Sequence, residues 1–317
     1  MNSARSRTLG QSVVQVSPLG FGSAPIAHLY TEIPLTQALE TVQTALERGV
    51  TLLDTAPWYG LGEAERRLGL ALRGVPRDRY TLSTKVGRVL ENGGARFDFS
   101  RDGVLRSLTG SLERLGTDRL DLVHLHDPDD FERQALLEAL PTLLELREQG
   151  VIGAVGAGMN QAGMLERFAQ YAGAQHGGFD AFMLAGRYTL LEQGGLELLD
   201  LCAERGIAVL LGGVFNSGIL ATGAVQGAKY DYRDAPPAVL ERVTRLEGVC
   251  REFGVSLAAA ALHFPLAHPA VASLVVGAAS SAELEVNLEL LELQIPLEFW
   301  AALRHAGLLS LEAPLPL

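Results

Sequence analysis

Basic charge is the first scarcity. The 317-residue chain sets 26 Lys and Arg against 37 Asp and Glu, a net charge of −11. That balance argues against a nucleic-acid footprint and against docking on an anionic membrane surface; its plain consequence is solubility. Cysteine is scarcer still. Cys202 and Cys250, without CxxC spacing, argue against a disulfide framework and a zinc site, and fit a reducing cytoplasm. No apolar run reaches the roughly 18 residues of a membrane span. The opening "MNSARSRTLG" lacks the apolar core of a signal peptide. No Pro/Gly/Ser-rich linker divides the chain, so residues 1–317 read as one domain. A Gly-rich phosphate turn is missing too: "LGFGSAP" has GxG but no third glycine opening a helix, which weakens an open doubly wound sheet.

What the chain does have is a rhythm. Eight short apolar runs, "PLGFGSAP", "VTLLDTA", "RYTLSTKV", "LDLVHLH", "VIGAVGAG", "FDAFMLAG", "IAVLLGGV" and "VASLVVGA", alternate with amphipathic helical patterns. "LTQALETVQTALERG" gathers Ala38, Leu39, Val42, Ala45 and Leu46 on one face and stops at Gly49. "DGVLRSLTGSLERLG" repeats the scheme to Gly116, and "FERQALLEALPTLLELREQG" runs to Gly150. Strands alternating with helices imply a parallel sheet buried on both faces. Eight such units in about 300 residues suit an α/β fold of the (β/α)8 TIM-barrel kind. "TLGQSVVQVSPLG" reads as a short N-terminal hairpin plugging the barrel bottom, and extra C-terminal helices follow the last strand.

Three of the runs end on an ionisable residue. By strand alternation Asp54 shares a face with Leu52, Lys85 with Ser83 and Thr81, and His126 with His124 and Leu122. The C-terminal end of a barrel strand is where this architecture keeps its chemistry. Each residue alone has an ordinary explanation: an aspartate after a strand caps a turn, a histidine in a strand is a satisfied core residue, and a lysine closes an ion pair. Their arrival at equivalent strand ends, with Tyr59 on the loop just beyond Asp54, is what points to a proton-transfer device. Burial should pair Asp54 with Lys85. The ammonium should then lower the Tyr59 pKa towards working pH. His126 is placed to polarise the substrate oxygen, and His124 stays a barrel-interior residue.

These stretches resemble the aldo-keto reductases. "GVTLLDTAPWYGLGEAERRLGLAL" is similar to that family's signature around its catalytic Asp and Tyr, "STKVG" to its lysine strand and "DRLDLVHLHDPD" to its histidine strand. The resemblance covers nearly the whole chain. It implies a barrel that binds NAD(P) extended, without a Rossmann fold, and a tetrad of Asp54, Tyr59, Lys85 and His126. It also places coenzyme contacts at Gly22 and Ser23, at Gly213, Phe215 and Ser217 around the pyrophosphate, and at Gly277, Glu283 and Asn287 around the adenosine. There are departures. "VGAGMNQ" offers Asn160 where the family has a Ser-Asn pair, "LAGRYTLLEQ" offers Arg187 and Tyr188 for a glutamine, and Gly212 stands where an aromatic often stacks on nicotinamide. With "GSAPIAHLY" and "HDPDD", these are similar to the branch holding bacterial aldose 1-dehydrogenases of the L-fucose or D-threo-aldose type and pyridoxal 4-dehydrogenase.

The expected activity is therefore oxidation of an aldose at its anomeric carbon to a lactone. Tyr59 would take the hydroxyl proton, and His28, Trp58 and Asp127 would contact the sugar. Trp58 also fits plain rim packing. Pyridoxal oxidation, general carbonyl reduction and a cofactor-sensing auxiliary subunit are the alternatives. The expected partner is a small sugar or aldehyde, the expected state a monomer or small homo-oligomer, and no metal is called for. NAD is expected over NADP. In "VVGAASSAELEVNLELL" the positions where NADP-using relatives carry Lys or Arg hold Gly277 and Glu283.

Overall fold

The computed structural model describes residues 6–28, 31–172 and 178–316. Eight parallel strands close into a barrel: Leu19–Gly22 (β1), Leu52–Asp54 (β2), Thr81–Val86 (β3), Leu120–His126 (β4), Ile152–Met159 (β5), Ala181–Ala185 (β6), Ala208–Gly212 (β7) and Val271–Gly277 (β8). They are the eight apolar runs, each paired with its neighbours in chain order. Helices Leu35–Glu47 (α1), Glu63–Ala71 (α2), Arg101–Leu115 (α3), Leu140–Glu148 (α4), Ala162–Ala172 (α5) and Leu196–Arg205 (α6) follow the first six strands. Pro237–Phe253 (α7) and Leu257–Leu266 (α8) follow β7, and Ser281–Glu292 (α9) and Leu297–His305 (α10) follow β8. No described helix is long and apolar enough to cross a membrane.

Strand alternation divides the core in two. Leu19, Phe21, Leu53, Leu82, Val123, Val155 and Leu184 turn outward onto the helices' apolar stripes. Leu52, Leu122, Ala154, Ala181, Met183 and Leu210 fill the barrel. Each large aliphatic side chain buried this way adds about 1.5–3 kcal/mol. The hairpin Arg7–Thr8 with Gln15–Val16 carries Leu9, Val14 and Val16 into that inner cluster, and so closes the barrel's N-terminal end as the plug expected from the sequence.

The helix stops fall at the glycines named above. Gly49, Gly116 and Gly150 all have positive φ, at 82°, 66° and 75°. At the start of α3 the Ser100 hydroxyl accepts from the Gly103 N–H at 3.1 Å. The third predicted helix is not continuous. A turn at Glu132–Gln134 leads into a π turn at Ala135–Ala139 before α4. Pro141 is the reason: it has no N–H to give, and its ring crowds the preceding turn, so the ladder widens there.

Besides the N-terminal hairpin, two antiparallel ribbons lie outside the barrel sheet. Arg88–Glu91 pairs with Gly94–Phe97 after β3, and Lys229–Tyr230 pairs with Arg233–Asp234 after β7. Both rise from C-terminal strand ends, where the inward positions form a rim of two unlike halves. Asp54, Lys85 and His126 occupy β2 to β4. Gly158, Ala185, Gly212, Gly277 and Gly22 occupy β5 to β8 and β1: Gly158 pairs with His126, Ala185 with Gly212, and Gly22 with both Gly277 and Asp54, while Gly158 meets Met183 on β6 and Gly212 meets Val275 on β8.

Candidate active site

The three ionisable strand ends and Tyr59 do converge. Lys85 Nζ donates to Asp54 Oδ2 at 2.6 Å and to the Thr55 carbonyl at 2.9 Å. The other carboxylate oxygen, Asp54 Oδ1, accepts from the Ser83 hydroxyl at 2.8 Å. Asp54 and Lys85 are both 2% exposed. Lys85 Nζ also stands 4.9 Å from the Tyr59 ring centroid, close enough for its charge to bear on the phenol. The His126 ring meets that of Tyr59 edge-on, with centroids 6.1 Å apart. Glycine makes room beneath: a Cβ on Gly156 would come within 2.3 Å of His124 Nδ1.

Burial dominates the electrostatics. It pulls the Lys85 ammonium down, but Asp54 and the Tyr59 phenol together outweigh it and hold Lys85 up at about 12. Burial pushes the Tyr59 phenol up. Lys85 pulls it back without cancelling the push, and Asp54 adds to the rise. This corrects the expectation of a phenol lowered by its lysine: the ammonium acts in the foreseen direction, but desolvation is larger. His126 sits well below the usual histidine value, chiefly through burial and then the charges of Lys85 and Arg88, so it is neutral. His124 is held down to about 3 by burial and Lys85.

A cavity of about 400 Å³ opens over these groups. Tyr59, Lys85 and His126 form its floor, with Trp58, Arg88, Asp127, Asn160 and Tyr232 around it. A wider groove of about 1000 Å³ lies between α2 and α3, away from all four tetrad residues. Most of its arginines are spent: Arg66 pairs with Glu63, Arg77 with Asp121 and Arg114 with Glu65. Size does not mark the site here; the converging titratable groups do.

The bare half of the rim bears on coenzyme binding. Gly158 and Ala185, in the same cavity wall as Tyr59 and Lys85, present little or no side chain and leave space for a flat ring. The buried Ser23 hydroxyl has no partner among the described residues, while its N–H donates to the Asp54 carbonyl at 2.9 Å. An orphaned hydroxyl next to a cleared wall fits a polar, planar group such as a nicotinamide amide. Asn160 stands on the opposite wall, donating to the Ala185 carbonyl at 3.0 Å.

The other residues named from the sequence are placed less uniformly. Gly213 takes φ 63° in the loop after β7. Phe215 packs against the core, and Ser217 Oγ accepts from the Tyr232 N–H at 3.0 Å. Gly277 is packed against Pro25, where a Cβ would come within 2.6 Å. Glu283 serves α9 as a cap: Oε2 accepts from the Ala279 N–H at 2.8 Å while Ser280 Oγ accepts from the Glu283 N–H at 3.2 Å. Asn287 is half-buried one turn on. Trp58 and Asp127 are in the cavity wall. His28 is not. Its Nδ1 accepts from the Ile33 N–H at 3.0 Å and its Nε2 lies 2.9 Å from Arg67.

Sequence reasoning missed Arg88, Tyr232 and Asn216. Arg88 lies over both the Trp58 and the Phe97 ring, 5.0 and 4.6 Å from their centroids, and pairs with Asp127. Tyr232 reaches the cavity from the second ribbon, which Arg187 clamps through two hydrogen bonds to Asp231 at 3.1 and 3.0 Å. Asn216 is buried between the two loop residues that were named. It accepts from the Thr189 hydroxyl at 2.6 Å and donates to the Gly186 carbonyl at 3.2 Å, tying the loops after β6 and β7 together. Only its positive φ of 45° sets it apart, and that is invisible in the sequence.

A sequence profile of the Aldo/keto reductase family matches residues 18–307. The chain belongs to the aldo/keto reductase family. This oxidoreductase is 37% identical to the D-threo-aldose 1-dehydrogenase of Pseudomonas sp, over 93% of this chain and 95% of that one. It is 36% identical to the pyridoxal 4-dehydrogenase of Microbacterium luteolum, over 98% and 99%. Among solved structures, an aldo-keto reductase from Bacillus halodurans in its holo form superposes with a TM-score of 0.77 at 27% identity, covering 96% of both chains.

Proposed function

We propose that this aldo/keto reductase is a nicotinamide-dependent dehydrogenase that oxidises the anomeric carbon of an aldose to its lactone. When bound, the coenzyme supplies the hydride acceptor. The chain's own residues do the rest. Tyr59 takes the proton of the anomeric hydroxyl, and Lys85, anchored by Asp54, stabilises the phenolate that does so. Neutral His126 donates to the substrate oxygen and keeps it pointed at Tyr59. The bare rim half receives the coenzyme's ring, with Ser23 and Asn160 offering hydrogen bonds to its amide. NAD is the preferred coenzyme, because Gly277 and Glu283 offer a 2′-phosphate no cation.

The observation that carries this reading is the make-up of the cavity wall. A charged pair, Arg88 with Asp127, and an amide, Asn160, alternate with the exposed rings of Trp58 and Tyr232. Polar groups between aromatic faces suit a ring bearing several hydroxyls, and a wholly apolar aldehyde would leave those groups unpaired. The kinship with a D-threo-aldose 1-dehydrogenase points the same way. The kinship with a pyridoxal 4-dehydrogenase, together with the two rings, supports a second reading: oxidation of pyridoxal's hemiacetal, also to a lactone. One screen decides between them. Initial rates with NAD⁺ and NADP⁺ are measured over L-fucose, D-arabinose, L-galactose, L-xylose and pyridoxal. Turnover of aldoses with kcat/KM well above that for pyridoxal is expected; reduction of simple aldehydes with no aldose oxidation would refute the proposal.

A further inference from the structure

Arg88 begins the ribbon after β3, three residues beyond Lys85. Its guanidinium lies over both the Trp58 and the Phe97 ring and holds one oxygen of Asp127, Oδ2. That same oxygen lies 3.6 Å from His126 Nε2, outside hydrogen-bonding range. Asp127 follows His126 with φ at 45°, so the chain leaves β4 by a sharp turn that sets a carboxylate beside the imidazole. Left alone, that carboxylate would take the Nε2 hydrogen for itself and draw a second proton onto the ring. Burial is the first force opposing that second proton, and cations are the next. Lys85 faces His126 from β3 and Arg88 from the ribbon. His124 lies below it on β4, Tyr59 meets it edge-on from the loop after β2, and Asp54 is spent on Lys85. Asp129 stands beyond Asp127.

We propose that Arg88 is a positioning residue: by holding Asp127 Oδ2 off His126, it keeps the imidazole neutral and leaves Nε2 free for the substrate oxygen. The catalytic consequence rests on the functional reading above, whereas the protonation state does not. The arrangement separates two tasks at one mouth. Tyr59 handles the proton, and His126 orients the oxygen without becoming a rival acid. Asp127 is thereby confined to its Arg88 pair and to whatever substrate hydroxyl reaches that pair. Stacking matters as much as charge here, because a planar guanidinium over two rings cannot swing away as an ammonium could.

The test is a histidine titration on the full coenzyme-free chain. The protein is labelled with ¹⁵N and ¹³C at its seven histidines, and the His126 signal is assigned by its loss in His126→Gln. In the wild type, His126 should stay neutral down to pH 5. Arg88→Met should raise its midpoint by about 1 to 3 pH units, the effect of an unscreened carboxylate at this range. Arg88→Met with Asp127→Asn should return it to wild-type behaviour, which a merely structural role for Arg88 would not do. Arg88→Gln, planar but uncharged, covers the case in which the methionine variant fails to fold, and should show the same rise. Identical His126 titrations in wild type and the Arg88 variant, or a midpoint that stays raised in the double variant, would overturn the proposal. Failure to oxidise any aldose would overturn the functional reading and leave this titration standing.

Discussion

Asp54 spends both carboxylate oxygens inside the protein, one on Lys85 and one on Ser83, so it reaches no substrate; its work passes through the lysine. In the proposed mechanism Lys85 in turn works through Tyr59, which shares the cavity floor with it. Tyr59→Phe should lower kcat by about 10² to 10⁴-fold, the usual worth of general acid–base help, while coenzyme affinity measured by fluorescence titration stays within a few-fold. Turnover close to wild type would remove Tyr59 from the mechanism. Lys85→Met should shift the acid limb of the oxidation profile upward. Burial already raises the phenol, and the substitution deletes the main force pulling it down. The same change strands Asp54 at 2% exposure and should cost about 3–5 kcal/mol in urea unfolding. Asp54→Leu with Lys85→Met should recover much of that loss, since no buried charge then remains. An unshifted limb would reduce Lys85 to a structural ion pair.

Among the elements, what the sequence shows and what it hides divide along the barrel wall. Strands buried on both faces must be apolar throughout, so β1 to β8 stand out as unbroken runs, and Asp54, Lys85 and His126 stand out as interruptions of them. The bare rim half is written as plainly, in Gly158, Gly212, Gly277 and Gly22, but a glycine has too many other uses to be read without its register. Arg88 and Tyr232 arrive on ribbons outside the barrel, in short polar segments held from afar, Arg88 by Asp127 39 positions away and Asp231 by Arg187 44 positions away, and no local pattern marks them. The sign of the Tyr59 shift was hidden for a related reason: composition gives a neighbour's charge, but only the folded mouth gives the desolvation. At the N-terminus of α9 the Ser280 hydroxyl accepts from the Glu283 N–H, and the Glu283 carboxylate accepts from the Ala279 N–H, one residue before the cap. A carboxylate so held faces any 2′-phosphate bound at that end with its charge intact. At about 5 Å and an effective dielectric of about 20 the repulsion is about 3 kcal/mol, falling to about 1 in a solvated rim. Wild type should therefore favour NAD⁺ over NADP⁺ by roughly 5 to 150-fold in kcat/KM. Glu283→Arg should move the ratio towards NADP⁺ and also lose about 0.5–2 kcal/mol of cap stability. A wild-type preference for NADP⁺, or a ratio that ignores the substitution, would end the argument.

At the scale of the whole molecule, the barrel buries a titratable interior. His124 is fully buried beneath the rim, with His126 above it, and the first is held at about 3. Both are neutral in the fold, whereas in the unfolded chain a histidine titrates near 6.5. Below pH 6.5 the unfolded chain thus binds protons that the folded one refuses, and stability falls as pH falls. The contribution is fully present above 6.5 and is lost progressively down to the folded value of about 3 for His124. Between pH 7 and pH 5 that is about 2 kcal/mol for His124 alone. The carboxylates of half-buried Asp127 and buried Asp180 are raised by desolvation and pull the other way, but they are common to wild type and any histidine variant, and so drop out of a difference. His124→Leu fits the same interior, since Gly156 already clears the space that the ring fills. Urea unfolding of the two proteins at pH 7 and pH 5, without coenzyme, should show the wild type losing about 2 kcal/mol more than the variant on acidification. Equal losses would mean that His124 takes its proton inside the barrel, where the structure leaves both ring nitrogens without a side-chain partner and a lysine close by.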